Sequence, residues 1–390
     1  MIQRDIISKF REYDKYYQII NITGPRQSGK STFIKNAIKR LPYINLESPD
    51  EREFALSDPL SFLKRFPKGA IIDEAQYVPE LFSYIQVLTD ADRTMKFYLT
   101  GSQNFLMQDK ITQSLAGRAG ILTLLPFSYK ELTRAKLSFP DDSNLQQFTG
   151  FYPRIYDRKI PPREFYRNYV NTYLERDIQA FIKSGNLVQF NRFIALSAGR
   201  AGQILNYQAL ANDTGVSIPT IQTWLGILEK SYVIFRLPPY HNNFNKRIIK
   251  APKLYFYDTG LLCYLLNIEK PAQLSTHFAK GAIFENYVLA EILKLRFNQG
   301  LPANMYFWKD SHNKEIDCVI EMGGKLVALE IKSSLSFSAS FFENIQYWRK
   351  LNPSNEQGVL IYGGSKSFST DHGEVIAWNN LSGLNKRFTV

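Results

Sequence analysis

The sequence predicts an α/β protein that opens with a parallel-sheet core and continues through a helical segment into a second α/β region. Three observations carry that prediction. A glycine loop, Gly24-Pro25-Arg26-Gln27-Ser28-Gly29-Lys30-Ser31, sits between an apolar run and a stretch of helical periodicity. A second apolar run, Gly69 to Ile72, ends in the carboxylates Asp73 and Glu74. Short apolar runs then alternate with helical patterns, which is the order of βα units.

Composition narrows the class before any motif is used. A chain of 390 residues holds several domains, and 44% hydrophobic content is ordinary for a globular protein. No apolar run approaches the ~18 residues that span a bilayer. The N-terminal stretch has scattered charges and no signal-peptide core, so a cytoplasmic location without membrane contact is expected. Two cysteines and four dispersed histidines make neither a disulfide framework nor a zinc site. A net charge of +12 is compatible with nucleic acid as a partner.

The first domain is expected over residues 1–150. Ile6, Phe10 and Tyr13 recur at helical spacing and predict a leading helix. The run Tyr16 to Ile22 predicts the strand that feeds the glycine loop. The loop fits G-x-x-x-x-G-K-[ST] at every fixed position, and Phe33, Ile34, Ala37, Ile38 and Leu41 continue it as a helix. In such a loop, successive N–H groups turn inward and the helix N-terminus adds positive potential, so phosphate oxygens are the natural ligand. Lys30 reaches the β- and γ-phosphates and Ser31 ligates magnesium; ATP and Mg2+ are the expected cofactors. Tyr43 to Leu46 reads as a strand, Glu47 to Asp58 as a polar acidic segment, and a helix is expected up to Phe66.

Gly69 to Asp73 reads as a buried parallel strand, whose carboxyl end faces the ligand crevice. Asp73 is then a magnesium partner and Glu74 the base that polarises the attacking water. A strand from Met95 to Leu99 leads to Ser102 and Gln103, polar groups suited to sensing the γ-phosphate. Arg118 is a candidate arginine finger, because a guanidinium stabilises charge on a transferring phosphoryl group. A last strand is expected from Ile121 to Leu125.

The middle segment, residues 151–250, begins with a long helical pattern from Pro162 to Ser184, similar to the helical lid of AAA-type ATPases. Helix, glycine turn at Gly215, helix and strand then follow between Asn206 and Tyr240, the layout of a winged helix-turn-helix. Thr220, Gln222, Thr223 and Trp224 fall on the would-be recognition helix. Lys230, Arg236, Lys246, Arg247, Lys250 and Lys253 would serve as phosphate contacts if DNA is the ligand. In the third part, residues 251–390, a helix carrying Glu285 precedes strands at Met305 to Trp308, Glu315 to Glu321 and Lys325 to Ile331, with a turn at Gly323-Gly324. Alternation sets Glu330 and Lys332 on one face, where they meet Asp317 across the hairpin. Two carboxylates and a lysine so arranged predict a magnesium site with a water activator. The pattern resembles the PD-(D/E)XK nuclease core, and Glu285 falls where that fold often adds a carboxylate. Whether such a site cleaves or only binds is left open by the residues.

In order along the chain stand GPRQSGKST, AIIDEAQ, LTGSQ, SLAGR, GFYPR, YLERDI, KLYFYDTGLL, FEN and EIDCVIE…EIKSS. With these motifs the chain resembles the bacterial and archaeal AAA-type ATPases whose C-terminal part is a PD-(D/E)XK-like domain of unknown function. The resemblance implies an AAA+/ASCE-type core, a helical lid with a winged helix, and ATPase activity, but no substrate. It implies Gly24 to Thr32 as Walker A, Asp73 and Glu74 as Walker B, Ser102 with Gln103 as sensor-like, and Arg118 as the finger. The expected function is a magnesium-dependent ATPase whose nucleotide state repositions the C-terminal half on DNA. The alternatives are a nucleotide-gated switch with a protein partner and an ATP-controlled endonuclease. A finger acting in trans would require a homo-oligomer.

Overall fold

The computed structural model describes residues 2–101, 117–174, 187–240, 251–351 and 358–384. Tertiary contacts gather 1–127, 230–232 and 297–301 into one unit, and 128–229, 233–296 and 302–390 into another. Residues 128–150, expected with the first domain, thus pack with the second unit, and the middle and C-terminal segments cluster together.

In the first unit, strands β1 (Ile19–Thr23), β2 (Tyr43–Asn45), β3 (Gly69–Asp73), β4 (Lys96–Gly101) and β5 (Ala119–Thr123) form one parallel sheet in the order β2-β3-β4-β1-β5. All five residues of β1 and of β3 are buried, as continuous apolar runs in a doubly covered parallel sheet require. Alternation divides them between two cores. Ala70, Ile72, Phe97 and Leu99 pack with Phe62 and Phe82. Ile20, Ile22, Ile71 and Tyr98 pack with Phe10, Phe33 and Ile34. Those last three come from helices α1 (Ile7–Tyr16) and α2 (Lys30–Ala37).

Two sequence expectations shift here. Tyr16 closes α1 and does not open β1. The acidic stretch after β2 is helical: α3 (Pro49–Ser57) and α4 (Pro59–Lys64) follow one another before β3. Ser48, with Pro49 in the first helical turn and Asp50 and Glu51 beside it, is a helix start by composition. Helix α5 (Leu81–Ala91) leads to β4.

The second unit begins with α6 (Tyr129–Arg134), α7 (Ser143–Thr149), α8 (Pro153–Arg158) and α9 (Pro162–Tyr169), followed by a π-helical turn, Val170–Leu174. The long helix expected from Pro162 to Ser184 thus runs from α9 into this π-helical turn, and its remainder lies outside the described residues. Next come α10 (Leu187–Ala198), α11 (Tyr207–Thr214), α12 (Ile218–Lys230) and a two-stranded antiparallel sheet, β6 (Ile234–Leu237) with β7 (Lys253–Phe256). Gly215 caps α11 with φ 79°, the left-handed conformation that favours glycine.

Helices α13 (Thr259–Leu265) and α14 (Lys280–Asn298) precede a mixed six-stranded sheet. Its strands are β8 (Met305–Lys309), β9 (Glu315–Met322), β10 (Lys325–Lys332), β11 (Val359–Tyr362), β12 (Phe368–Thr370) and β13 (Gly373–Ala377), in the order β12-β13-β11-β10-β9-β8. Strands β9 and β10 are joined through Gly323 and Gly324 at φ 55° and 83°, the two positive φ values of a tight hairpin turn. Helix α15 (Glu343–Leu351) buries Ile345 and Trp348 against one face of this sheet.

Buried polar groups fix the segments between. Asp258 is 1% exposed. Its carboxylate accepts from the Phe151 N–H at 2.8 Å, the Tyr166 hydroxyl at 2.7 Å and the Leu261 N–H at 3.0 Å. A Cβ on Gly150 would lie 2.0 Å from that Tyr166 hydroxyl, so the glycine is a requirement of the network. Asn286, fully buried on α14, takes the Phe256 N–H and gives to the Phe256 carbonyl, each at 2.7 Å. Along the same strand, Leu254 exchanges backbone hydrogen bonds with Gly202 and Gln203. Replacing Asn286 by Ala strands both Phe256 groups. An expected loss of about 2–4 kcal/mol is checked by urea unfolding of the full chain; a shift within ~0.5 kcal/mol would show that the amide pair is not the fastening.

Candidate functional site

The carboxyl ends of β1, β3 and β4 set the site, because parallel register puts them at one edge. Thr23 stands opposite Gly101, and Ile72 opposite Leu99. The glycine loop leaves β1 at Gly24, whose φ is 144° and where a Cβ would lie 2.2 Å from the Leu124 carbonyl oxygen. No side chain fits there. Gln27 and Gly29 follow with φ 62° and 93°, a left-handed succession that turns amides inward. Lys30 is 4% exposed, and its ammonium lies 3.0 Å from the Gly24 carbonyl and 2.7 Å from that of Pro25. The Ser28 hydroxyl and Gln27 Oε1 are buried without a hydrogen-bond partner. Unsatisfied buried polar atoms in a loop of inward amides suit a ligand rich in oxygen.

Asp73 is 2% exposed at the end of β3. Thr100, from β4, donates its hydroxyl to Oδ1, and Tyr43, from β2, donates to Oδ2. Burial and the Asp73 carboxylate push the Tyr43 phenol well above its ordinary range. This donor set, a helix-start hydroxyl and a buried carboxylate beside a phosphate cradle, fits magnesium. Glu74 follows in the left-handed region, φ 55° and ψ 41°, a costly conformation for a residue with a side chain and one common at functional positions. Gln76 donates to Glu74 Oε2.

Arg118 stands elsewhere. It precedes β5, whose Ala119 is opposite Ile19, whereas the glycine loop leaves the far end of β1. Its guanidinium is 3.2 Å from Asp90. Four residues of strand, about 13 Å, separate it from the level of Thr23. It does not join the site of its own chain. Ser102 and Gln103 lie outside the described residues. Sequence reasoning missed Tyr43 and Arg4. Arg4 is 6% exposed and gives hydrogen bonds to the carbonyls of Ser28, at 2.9 Å, and Leu125, at 2.5 Å. It fastens the glycine loop from a position that no motif marks.

In the second unit, the structure brings Glu285, Asp317, Glu330 and Lys332 into one electrostatic cluster. The Lys332 ammonium is 2.6 Å from Glu330 and 3.6 Å from Asp317. Asp317 Oδ2 also accepts the Ile331 N–H at 2.8 Å. Strand β7 adds two residues that the sequence did not assign to this cluster. Lys253 lies 3.4 Å from Glu285 and 2.5 Å from Glu315, and Tyr255 donates to Glu285. Burial and then the Asp317 charge raise Glu285 to about 7 and Glu330 to about 8. Burial alone would lower Lys253, but Glu285, Glu315 and Asp317 outweigh it and hold the ammonium above its usual range.

Each carboxylate of the cluster already faces an ammonium, and among the described residues no three His, Cys, Asp or Glu side chains are grouped to hold a metal. The side chains expected at a magnesium site stand here as an ion-paired cluster, in which Glu330 Oε1 is buried without a hydrogen-bond partner. One phosphate contact is corrected as well: Lys253 is 4% exposed within the cluster. Arg236 is exposed and pairs with Glu229. Lys246, Arg247 and Lys250 lie outside the described residues. On α12, Trp224 is 2% exposed and packs on Phe190 and Phe193, so it belongs to the core. Thr223 bonds the Pro219 carbonyl, and Thr220 bonds Ser217.

The two raised carboxyls set a pH dependence. A carboxyl with a folded pKa above its unfolded value of 4.5 holds its proton more tightly when folded. Its stabilising contribution is full below about 4.5 and is lost as pH rises through about 7 to 8. In metal-free buffer, the unfolding midpoint is expected to fall between pH 5 and 8, and Glu330→Gln to flatten that fall. A profile of equal slope in wild type and Glu330→Gln would exclude Glu330 as a source.

Three family models match successive parts of the chain. Residues 16–133 match a family model described as AAA domain. Residues 141–272 match a Domain of unknown function (DUF8612), and residues 280–381 another, DUF4143. An uncharacterized protein of Mycobacterium tuberculosis is 28% identical over 341 residues, 87% of this chain and 75% of that protein. One of Haemophilus influenzae is 21% identical over 375 residues, 88% of each. Among solved structures, a Walker-type ATPase of Pyrococcus abyssi is 18% identical, covering 68% of this chain and 96% of its own, with a TM-score of 0.47. No helix among the described residues is long and apolar enough to cross a membrane. The matched AAA model, the strand order β2-β3-β4-β1-β5 and the glycine loop agree on a P-loop core of AAA+/ASCE type.

Proposed function

We propose that this chain is a magnesium-dependent ATPase whose nucleotide state controls a winged-helix and PD-(D/E)XK-like C-terminal half acting on DNA. The observation that carries the ATPase reading is the convergence of the glycine loop, Lys30, Ser31 and the buried Asp73 at one sheet edge. Gly24 to Thr32 wrap the phosphates with backbone amides. Lys30 exchanges its carbonyl partners for the β- and γ-phosphates. Ser31 and Asp73 would hold magnesium, which supplies charge neutralisation on the phosphates. Glu74, next in the chain to Asp73, takes the proton of the attacking water. Since Arg118 lies away from its own chain's loop, its role as a finger belongs in trans, in a homo-oligomer.

Lys30→Ala is expected to abolish ATP turnover. Glu74→Gln should keep ATP bound while slowing turnover about 10²–10⁴-fold. Turnover by Lys30→Ala at the wild-type rate would refute the ATPase assignment. For Arg118, mixing inactive Arg118→Ala with inactive Lys30→Ala should restore turnover, because mixed neighbours supply the missing arginine. Restoration absent at every ratio, in a mixture shown to co-assemble, would exclude a trans role.

DNA is the polyanion suited to a net charge of +12 and to a helix–turn–helix with a two-stranded sheet. DNA affinity that falls steeply with salt would support this. A second reading, a nucleotide-gated switch with a protein partner, is favoured by the consumption of Arg236 and Lys253 in ion pairs. ATP turnover and binding indifferent to DNA at low salt would select it. The endonuclease reading rests on Asp317, Glu330 and Lys332 meeting across β9 and β10. It requires DNA cleavage by the wild type that Asp317→Ala loses.

A further inference from the structure

We propose that Arg4 is a positioning residue for nucleotide phosphates, holding the Ser28–Gly29 peptide so that the Gly29 N–H faces the ligand; this rests on the P-loop reading above. Arg4 precedes α1 and is 6% exposed. Its guanidinium acts as a fork. Nη1 donates to the Ser28 carbonyl at 2.9 Å, and Nη2 donates to the carbonyls of Leu125 at 2.5 Å and Pro126 at 3.5 Å. The Phe127 ring, with its centroid 4.9 Å from the guanidinium carbon, seats the fork. The glycine loop is thereby tied to the chain that leaves β5. The same chain walls the first glycine of the loop, since the Leu124 carbonyl leaves no space for a Cβ at Gly24. Both arms of the loop are thus referenced to residues 124–126.

A trans peptide is planar, and its C=O and N–H point in opposite directions. Pinning the Ser28 carbonyl therefore sends the Gly29 N–H away from Arg4. Gly29 is the N-cap of α2, with φ 93° and ψ 21°. Its N–H stands at the helix start, outside the helix's own ladder of hydrogen bonds, where an anion is met by backbone amides. Two cations hold carbonyls of this loop, and their fates differ. Lys30, on the carbonyls of Gly24 and Pro25, leaves them for the phosphates. Arg4 is bound to the opposite end of its peptide, so it keeps the Ser28 carbonyl while the Gly29 N–H takes a phosphate oxygen. The two hydrogen bonds strengthen one another, because each polarises the peptide unit that they share.

The test compares the affinities of the full chain for the fluorescent methylanthraniloyl derivatives of ATP and of AMP, in magnesium. Wild type, Arg4→Ala and Arg4→Lys are measured below their melting midpoints. The ratio of the two affinities reads the phosphate contacts and cancels a general loosening that weakens both ligands alike. Wild type should prefer the ATP derivative. Arg4→Ala should lose about fivefold or more of that preference. Arg4→Lys keeps a donor without the planar fork and should fall between the two; it carries the comparison alone if Arg4→Ala does not melt cooperatively. A folded variant that keeps the full preference, whether or not both derivatives bind more weakly, overturns the role of Arg4 and leaves the P-loop reading standing. A wild type that binds the two derivatives equally, or neither, overturns the P-loop reading itself, and the role of Arg4 with it.

Discussion

A carboxylate buried at the end of a central strand constrains the whole first unit. Asp73 is 2% exposed, and a buried charge is tolerated only with donors in place. Tyr43 and Thr100 supply them from the strands on either side of β3. For both hydroxyls to arrive, β2, β3 and β4 must end level. With β4 beside β1, the same register brings the start of the glycine loop to that edge. Position, not proximity in sequence, therefore makes one site from residues 24–32, 43, 73 and 100. Arg118 stays apart for the same reason, since it stands where its strand begins.

What the sequence made legible was local. The glycine loop with its flanks, the apolar run into Asp73 and Glu74, and the Gly323-Gly324 hairpin are each written within a few consecutive residues, where backbone sterics translate directly into geometry. The missing parts come from pairs far apart along the chain. Arg4 reaching Ser28 and Leu125, and Tyr43 reaching Asp73, carry no local periodicity. Helix α3 is hard to read because its apolar positions form a weak stripe, although Ser48, Pro49, Asp50 and Glu51 spell its start. The motif around Trp224 does not fix which face of its helix that residue takes. The structure turns it onto Phe190 and Phe193.

The stretches that gave the chain its resemblance do different physical work. GPRQSGKST and AIIDEAQ build the ligand edge. GFYPR and YFYDTG meet in the Asp258 network, where two backbone amides and a tyrosine satisfy one buried carboxylate and Gly150 leaves them room. FEN supplies a carboxylate to the ion-paired cluster through Glu285 and an amide to β7 through Asn286. In the cluster, the ammonium of Lys253 contributes a positive charge beside the carboxylates of Glu285, Glu315 and Asp317, which lessens their mutual repulsion.

The two-stranded sheet illustrates how such fastening shapes behaviour beyond folding. One side of β7 pairs with β6. On the other side, Leu254 is met by the backbone of Gly202 and Gln203, and Phe256 by the Asn286 amide. Asn286 imitates a neighbouring peptide unit in the two hydrogen bonds that it makes. At Leu254 and Phe256 the strand therefore offers no bare peptide groups to a strand from another molecule. A short, aromatic segment, Leu254-Tyr255-Phe256, of the kind that readily templates intermolecular sheets, is sealed by one side chain and one turn.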